Sequence, residues 1–223
     1  MYRAFFKRIF DFLFSLVLLL ILFPFLLIFA LLIKITSKGK ILFLQERIGK
    51  KGKVFKICKF RTMVMNAEEK GSGTYSFEND TRITKLGKFM RKTSIDEIPQ
   101  LINILYGQMS FIGPRAPIKN SFPKDEYLDD FVRKRFSVKP GVSGYAQVKG
   151  RNSLTWEEKI AYDNVYVDKL KKWGIFIDIK IFFLTIKKVF LMSNVEENED
   201  IMRKNEEFFK KYYDAEKGVV KHE

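Results

Sequence analysis

The sequence has almost no histidine or cysteine. Its 223 residues include one histidine, His222, and one cysteine, Cys58. A Ser-His-Asp triad, a Cys-His pair and a Cys/His zinc site therefore cannot be built from this chain. The sequence also has no phosphate loop of the pattern Gly-x4-Gly-Lys-Ser/Thr, which argues against a P-loop nucleotidase. Any catalysis must use carboxylates, cations and hydroxyls, and we expect a hard metal held by oxygen ligands.

The charge of the chain is strongly positive. Lysine and arginine number 41 against 26 aspartate and glutamate, for a net charge of +15. An excess of this size indicates a polyanionic partner such as nucleic acid, anionic lipid or a phosphorylated substrate. The sequence contains no recognisable nucleic-acid-binding motif. The length is enough for one sizeable core with a small appendage.

A long apolar segment lies near the N-terminus. Residues 12–33 contain no charged side chain and, as one helix, would be about 33 Å long, enough to cross a bilayer. Pro24 lies in the middle, where a proline removes a backbone hydrogen bond and kinks a helix. Cations flank both ends, among them Lys7, Arg8 and Lys34, and this favours a cytoplasmic position for both ends. Two alternatives remain open: a re-entrant helical hairpin that breaks near Pro24, and a slightly kinked transmembrane helix.

The spacing of apolar and turn residues in the rest of the chain predicts an α+β fold that is mostly helical, with one small β-hairpin at residues 41–60. We expect a short strand at 145–148 and a polar loop at 66–80. The mixture of bulky apolar residues and lysines at 175–192 predicts an amphipathic helix that covers the core or lies in the membrane interface. Further helices are predicted near residues 83–91, 98–105, 124–136 and 155–170, and the tail from 193 is partly helical at best.

Two adjacent carboxylates, Asp96 and Glu97, follow Arg91 and precede a helical pattern that ends at Gly107. If Asp96 is the N-cap, it lies at the positive end of the helix dipole, a position that also favours phosphate. The alternative interpretation is purely structural. Ser94-x-x-Glu97 matches a capping box, and acidic residues at helix starts are ordinary.

Two further charged residues are candidates for a site. Arg115 lies between Pro114 and Pro117, which restrict the backbone, and an immobilised arginine suits bidentate contact with phosphate. The alternative for Arg115 is a plain turn. Asp163 falls on the apolar stripe of the helix that Thr155 opens, and a carboxylate on a buried face requires a partner. The alternative for Asp163 is a salt bridge to a neighbouring lysine or arginine.

The motifs of this chain, taken together and in order, resemble those of the bacterial sugar transferases, the small monotopic polyprenyl-phosphate phosphoglycosyl transferases. The resemblance runs from about residue 3 to residue 190. Each motif alone is weak, but the set is specific. The matching motifs are Lys7-Arg8-x-x-Asp11, Lys59-Phe60-Arg61-Thr62-Met63, Ser94-x-Asp96-Glu97-x-Pro99-Gln100-Leu101, Met109-Ser110-Phe111-Ile112-Gly113-Pro114-Arg115, Lys139-Pro140-Gly141-Val142-Ser143-Gly144 and Ala146-Gln147-Val148-x-Gly150-Arg151-Asn152.

The resemblance implies an enzyme that moves a sugar-1-phosphate from a nucleoside diphosphate sugar, with uridine as the expected base, to polyprenyl (undecaprenyl) phosphate. This would be the first membrane step of surface-polysaccharide or glycoprotein glycan synthesis. Asp96 matches the family's nucleophile, which forms a covalent phosphosugar intermediate, and Glu97 is expected to help with the metal or with proton transfer. Asp96 and Glu97 would also hold Mg²⁺, with Mn²⁺ as an alternative. The expected phosphate- and substrate-binding residues are Lys59, Arg61, Arg91, Arg115, Arg151, Asp163 and Asp168.

The resemblance also implies a domain organisation. Residues 1–40 would form a re-entrant membrane anchor, with the break at Pro24 and with Lys7, Arg8 and Asp11 at the membrane interface. Residues 41–192 would form a compact, cytoplasmic catalytic domain with amphipathic interfacial helices, and residues 193–223 a charged tail. The expected location is the cytoplasmic face of the bacterial inner membrane, with membrane lipids and downstream glycosyltransferases as partners and no nucleic acid. The alternative is a membrane-anchored basic adaptor that binds anionic lipid or nucleic acid without catalysis.

Overall fold

The computed structural model describes residues 5–67, 80–190 and 199–217. The described helices are Lys7–Thr36 (α1), Lys85–Lys92 (α2), Gln100–Leu105 (α3), Asp130–Arg133 (α4), Tyr145–Lys149 (α5), Trp156–Trp173 (α6), Ile175–Phe190 (α7) and Glu199–Glu216 (α8). The described strands are Leu42–Ile48 (β1), Val54–Phe60 (β2), Ser110–Ile112 (β3) and Gly141–Ser143 (β4). The prediction of a mostly helical chain with one small β-hairpin is confirmed.

The described strands form two small sheets, one local and one between distant segments. Strands β1 and β2 form the predicted antiparallel hairpin, with Leu44 opposite Cys58. Strands β3 and β4 pair in parallel, with Ser110 opposite Gly141, and the sequence analysis did not predict this pair. A three-residue strand is too short to show a period in its sequence, so only tertiary contact reveals it. The β3–β4 pair brings the segment after Ile112 next to the segment before Tyr145.

Helix α1 runs without interruption from Lys7 through Pro24 to Thr36. Of the described residues, only this helix is long and apolar enough to cross a membrane. The predicted re-entrant hairpin is not confirmed, because no break separates the two halves at Pro24, and it stays a prediction. One face of α1 packs on the rest of the chain and the opposite face exposes large apolar side chains such as Leu20 and Leu31. The packed stripe consists of Asp11, Ser15, Leu18, Leu19, Leu22, Leu26, Phe29, Ala30 and Ile33.

Three charged residues fasten the N-terminal end of α1 to the folded domain. Lys7 Nζ lies 2.6 Å from Asp178 Oδ2 on α7. Arg8 donates two hydrogen bonds of 2.8 Å to the last carbonyl groups of α3. Asp11 Oδ1 accepts a hydrogen bond of 3.1 Å from Ser110 Oγ on β3. The residues predicted for the membrane interface therefore contact the domain directly.

Three local predictions differ from the structure. Residues 145–148 form the first turn of α5 rather than a strand, because a segment of four residues is too short to distinguish the helical period from the strand period. The predicted helix at 124–136 is divided into α4 and two 3₁₀ turns, since Asp129 is extended and its side chain restarts the helix by accepting from Val132 N. The predicted loop at 66–80 lies almost wholly outside the described residues.

The tail contains a longer helix than predicted. Helix α8, Glu199–Glu216, packs aromatic side chains on the domain. The ring of Phe209 lies 5.0 Å from the ring of Phe122 and 5.8 Å from that of Trp156. Asn205 Oδ1 also accepts a hydrogen bond of 2.6 Å from Trp156 N, the first residue of α6. Helix α8 is therefore packed on the folded domain through its buried side chains Ile201, Phe209 and Tyr212.

Candidate active site

Asp96 and Glu97 lie in a 3₁₀ turn, Ile95–Glu97, just before α3. Ser94 precedes this turn with a φ of 58°, in the left-handed region, and its side chain forms no cap hydrogen bond. The alternative interpretation of Ser94-x-x-Glu97 as a capping box is therefore wrong. The predicted N-cap role of Asp96 is also wrong, because Pro99 occupies the N-cap position of α3. Left-handed residues other than glycine are uncommon and often found at functional sites.

Glu97 joins three separate parts of the chain. Its Oε1 atom lies 2.7 Å from Lys59 Nζ on β2 and 3.0 Å from Arg115 Nη2 in the loop after β3. Burial alone would raise the pKa of Glu97, but the charges of Lys59 and Arg115 outweigh it and hold this pKa well below its usual range. Glu97 is consequently an ionised group that orients two cations.

Asp96 has the opposite electrostatic character. Its side chain is buried, with 8% of the residue exposed. Burial, followed by the charge of Glu97, raises the pKa of Asp96 to about 6, although Lys59, Arg91 and Arg115 act in the opposite direction. Two neighbouring carboxylates with pKa values pushed apart are typical of sites where the two groups have different chemical roles.

The structure brings three of the predicted phosphate-binding cations to these carboxylates. Lys59 and Arg115 form ion pairs with Glu97. The charge of Arg91 lowers the pKa of Asp96. Arg91 Nε donates a hydrogen bond of 2.9 Å to Thr62 Oγ1. Desolvation lowers the pKa of both Lys59 and Arg91. Three cations beside two carboxylates leave positive charge available to a phosphorylated ligand.

Arg61, predicted to bind phosphate or substrate, contacts the C-terminal end of α1. Its Nη2 atom donates a hydrogen bond of 2.7 Å to the carbonyl of Ser37, the residue that caps α1. A cation at the C-terminal end of a helix satisfies orphan carbonyl groups and complements the helix dipole. The guanidinium of Arg61 is thus used to hold the second end of α1 on the domain.

Two predicted site residues on α6, Asp163 and Asp168, are not part of the Asp96–Glu97 group. Asp163 Oδ2 lies 2.9 Å from Arg135 Nη2, and both side chains are 1% exposed, so the salt-bridge alternative describes Asp163. Burial raises the pKa of Asp163 to about 6, and Arg135 opposes this rise. Asp168 lies at the surface, 2.7 Å from Lys134 Nζ. Arg151 begins a 3₁₀ turn, and its side chain lies outside the described part of the structure.

The loop from Pro114 to Pro117 is held at each of its four carbonyl groups. Pro114, Arg115, Ala116 and Pro117 each accept a hydrogen bond from a residue elsewhere in the chain. The donors are, in order, Gly141 N (2.9 Å), Arg135 Nη2 (2.7 Å), Arg47 Nη1 (2.9 Å) and Ile48 N (3.0 Å). The prediction that Arg115 is immobilised is therefore consistent with the structure, and hydrogen bonds to the loop carbonyls add to the restraint from the two prolines.

A metal would have to share its coordination with a substrate. Among the residues that the structure describes, no group of three or more His, Cys, Asp or Glu side chains could hold a metal ion. Asp96 and Glu97 nevertheless offer adjacent carboxylates, and Mg²⁺ is usually held by one or two carboxylates together with substrate phosphates and water. Asp96 and Glu97 would hold Mg²⁺ together with a phosphorylated ligand, and the described residues offer no all-protein metal cage.

Comparison with known proteins gives a consistent result. The family model described as bacterial sugar transferase matches residues 2–192. The UDP-glucose:undecaprenyl-phosphate glucose-1-phosphate transferase of Klebsiella pneumoniae is 41% identical, over 83% of this chain and 40% of that protein. The uncharacterized sugar transferase EpsL of Bacillus subtilis is 36% identical, over 87% of this chain and 92% of that protein. The undecaprenyl-phosphate galactose phosphotransferase of Salmonella typhimurium is 38% identical, over 83% of this chain and 40% of that protein.

The match covers different shares of these relatives. The aligned part is about two fifths of the Klebsiella and Salmonella proteins and nearly the whole of the Bacillus protein. The family match includes every residue of the Asp96–Glu97 group, from Lys59 to Arg115, and ends before α8. Because the family model matches most of the chain, we conclude that this chain belongs to the bacterial sugar transferase family.

Proposed function

We propose that this chain transfers a sugar-1-phosphate from a UDP-sugar to undecaprenyl phosphate and releases UMP. The observation that carries this proposal is the buried Asp96–Glu97 pair with Lys59, Arg91 and Arg115 beside it, in a chain of this family. Several relatives bear the names of enzymes that act on undecaprenyl phosphate, such as those from Klebsiella and Salmonella. The proposed reaction needs neither histidine nor a reactive cysteine.

The cations beside the dyad would bind the diphosphate of the nucleotide sugar. Arg115 is the most accessible of the contacts to Glu97, with 43% of its side chain exposed. Its planar guanidinium can make a two-pronged contact with phosphate, and Lys59 adds a point charge. Because Glu97 already orients both cations, little rearrangement would be required when the substrate binds.

Asp96 would act as the nucleophile. One carboxylate oxygen attacks the β-phosphorus, the bond from that phosphorus to the oxygen bridging the α-phosphate breaks, and UMP leaves with the bonding electrons. A phosphate oxygen of undecaprenyl phosphate then attacks the same phosphorus, and the bond to Asp96 breaks. The carboxylate is restored, and Lys59, Arg91 and Arg115 stabilise the negative charge on the transferring group in both steps.

Asp96 and Glu97 are the residues that would hold Mg²⁺, or Mn²⁺ as an alternative, together with the diphosphate. When bound, the metal would neutralise negative charge on the transferring phosphoryl group. Glu97 also has a role that requires no metal, because it fixes Lys59 at 2.7 Å and Arg115 at 3.0 Å from one carboxylate oxygen. Its loss would release both cations.

We place this site at the cytoplasmic face of the bacterial inner membrane, where an undecaprenyl chain can meet a soluble nucleotide sugar. Helix α1 packs on the domain from Asp11 to Ile33, which supports an arrangement in which the helix stays against the domain. The outer face of α1 and the exposed side chains Phe176 and Phe183 of α7 are apolar, which suits insertion into one leaflet with lipid as a partner.

The membrane placement can be tested with one cysteine. In a Cys58→Ser background, a cysteine in place of Tyr2 should remain unlabelled when intact cells are treated with a membrane-impermeant thiol reagent, and should become labelled after the cells are opened. Labelling in intact cells would place the N-terminus outside and refute the one-leaflet arrangement.

The reaction is tested by identifying the released nucleotide. Purified protein would be incubated with a panel of UDP-sugars, Mg²⁺ and undecaprenyl phosphate. We expect UMP with at least one sugar, in an amount equal to the lipid-linked product, and no UMP from the Asp96→Asn variant. Release of UDP would indicate an ordinary glycosyltransferase. Absence of any nucleotide release across the panel would favour the membrane-anchored adaptor.

A further inference from the structure

We infer that Arg135, with Asp163 as its counter-ion, is the positioning residue for Arg115, an inference that rests on the proposed function. Arg135 lies in the 3₁₀ turn Lys134–Ser137, which follows α4, and Asp163 lies on α6. Neither residue reaches the Asp96–Glu97 group. Together they connect the core of the domain to the loop that carries the most exposed cation of the site.

The guanidinium of Arg135 contacts both partners at once. Nη2 donates a hydrogen bond of 2.7 Å to the carbonyl oxygen of Arg115, and Nε donates one of 3.0 Å to Asp163 Oδ2. Because these two donors have a fixed relative geometry within one planar group, Arg135 couples the position of the Arg115 carbonyl to that of Asp163. This restraint acts together with the hydrogen bonds to the neighbouring loop carbonyls.

Aromatic rings fix the guanidinium from its other sides. The central carbon of Arg135 lies 5.3 Å from the ring centres of Phe136 and Trp156 and 5.8 Å from that of Phe122. These distances are in the range of cation–π contacts. With 1% of each side chain exposed, Arg135 and Asp163 have almost no contact with solvent. The guanidinium is therefore confined to one position.

Stability alone does not account for this pair. Buried ion pairs often contribute little net stability, because the cost of desolvation offsets the attraction, and apolar side chains of similar volume can replace them. Apolar residues at positions 135 and 163 could fill the same space. They could not donate a hydrogen bond to the Arg115 carbonyl, and this is the property that the ion pair adds.

The placement of Arg115 depends on its backbone. Its side chain is 43% exposed, and its Nη2 atom lies 3.0 Å from Glu97 Oε1. Because the side chain extends from this backbone, a shift of the backbone moves the guanidinium relative to Glu97. A displacement of about 1 Å in a catalytic constellation can lower the rate about 100-fold.

The decisive variant replaces the whole ion pair. In Arg135→Met/Asp163→Leu, no buried charge is left unpaired, so the fold should persist while the donor to Arg115 is lost. We expect kcat for UMP release to fall about 10- to 100-fold, and KM for the UDP-sugar to rise as well, because Arg115 would also bind the diphosphate. The same double change in an Arg115→Ala background should cause no further loss in kcat. An equal loss in both backgrounds would show that the pair acts on the fold in general and would overturn the inference.

A second variant covers the case in which the double variant does not fold. Arg135→Lys keeps a positive charge beside Asp163 but lacks the planar fork that reaches both partners. Its loss in kcat should be smaller than that of the double variant and should again vanish in the Arg115→Ala background. A loss that persists in that background would contradict the positioning role.

Hydrogen–deuterium exchange gives a readout that does not require activity. In the folded variant, the peptide covering residues 111–118 should exchange faster than in the wild type, while residues 54–60 on β2 should be unchanged. Unaltered exchange at 111–118 would overturn the inference even if the transferase reaction is confirmed. If the wild type releases no UMP, the proposed function fails, and the exchange measurement still decides whether Arg135 positions this loop.

Discussion

Asp96 and Asp163 are both buried carboxylates, and burial raises the pKa of each to about 6, yet their surroundings differ. Asp96 shares its cations with Glu97, and one of those cations, Arg115, has 43% of its side chain exposed. Asp163 has one counter-ion, Arg135, inside a set of aromatic rings. A phosphate can approach the first group and has no access to the second. Access to solvent, rather than a raised pKa, therefore separates the candidate nucleophile from the structural carboxylate.

The largest effect is expected for Asp96→Asn. Turnover should fall by about 10⁴-fold or more, because a covalent nucleophile is lost. The midpoint of thermal unfolding should stay close to that of the wild type, since the change removes a charge that lies next to Glu97. Both quantities are measured on the same purified protein, and retention of even a tenth of the wild-type turnover would contradict the assignment.

Asp163→Asn should lower stability strongly and turnover only moderately, in contrast to Asp96→Asn. Arg135 would remain as a buried cation without its counter-ion, and breaking a buried pair in this way costs about 3–5 kcal/mol of folding free energy. Turnover should fall about 10- to 100-fold through displacement of Arg115, which is far less than for Asp96→Asn. A loss of turnover without a loss of stability would mean that Asp163 contacts the substrate, as the sequence analysis predicted.

Asp168→Asn is the matched control on the same helix. Asp168 pairs with Lys134 at the surface, and exposed pairs contribute less than about 1 kcal/mol. Turnover should stay within about twofold of the wild type. A larger loss of turnover at unchanged stability would support the substrate-binding role predicted for Asp168.

The pH dependence should distinguish the two carboxylates of the dyad. Asp96 must be ionised to attack, so kcat/KM of the wild type should rise with pH through about 6, where the pKa of Asp96 lies. In Glu97→Gln, the neighbouring negative charge is absent and Lys59 and Arg115 are free to act on Asp96. The pKa of Asp96 should then fall, and the acid limb of the residual activity should move to lower pH. A shift to higher pH would contradict this account of the raised pKa.

Features fixed by nearby residues were predictable from the sequence. The capping box of α6 is present as predicted, with Thr155 accepting from Glu158 N and Glu158 accepting from Thr155 N. The β1–β2 hairpin followed from its apolar runs and the Gly49–Gly52 turn. The sequence also indicated Asp96, Glu97 and Arg115 as site candidates, because each belongs to a short motif with a recognisable spacing.

Features that depend on contacts between distant residues were not predictable in the same way. The turn at Asp96 is a 3₁₀ turn rather than the start of an α-helix. The backbone of Ser94 is in the left-handed region, and α3 begins only after Pro99. Arg135 was missed because its partners, Arg115 and Asp163, are far away in sequence. The one local signal is that Arg135 follows the buried Val132 by three residues, which places both on one face of the predicted helix.

The most direct test of the account is to trap the covalent intermediate. The protein would be incubated with a UDP-sugar that supports turnover and with Mg²⁺, but without undecaprenyl phosphate, and then analysed by intact mass and peptide mapping. We predict one phosphosugar group on the peptide that contains Asp96, an equal amount of released UMP, and loss of the adduct when undecaprenyl phosphate is added. An adduct on another residue, or UMP release only when both substrates are present and no adduct forms, would contradict the role of Asp96 as nucleophile.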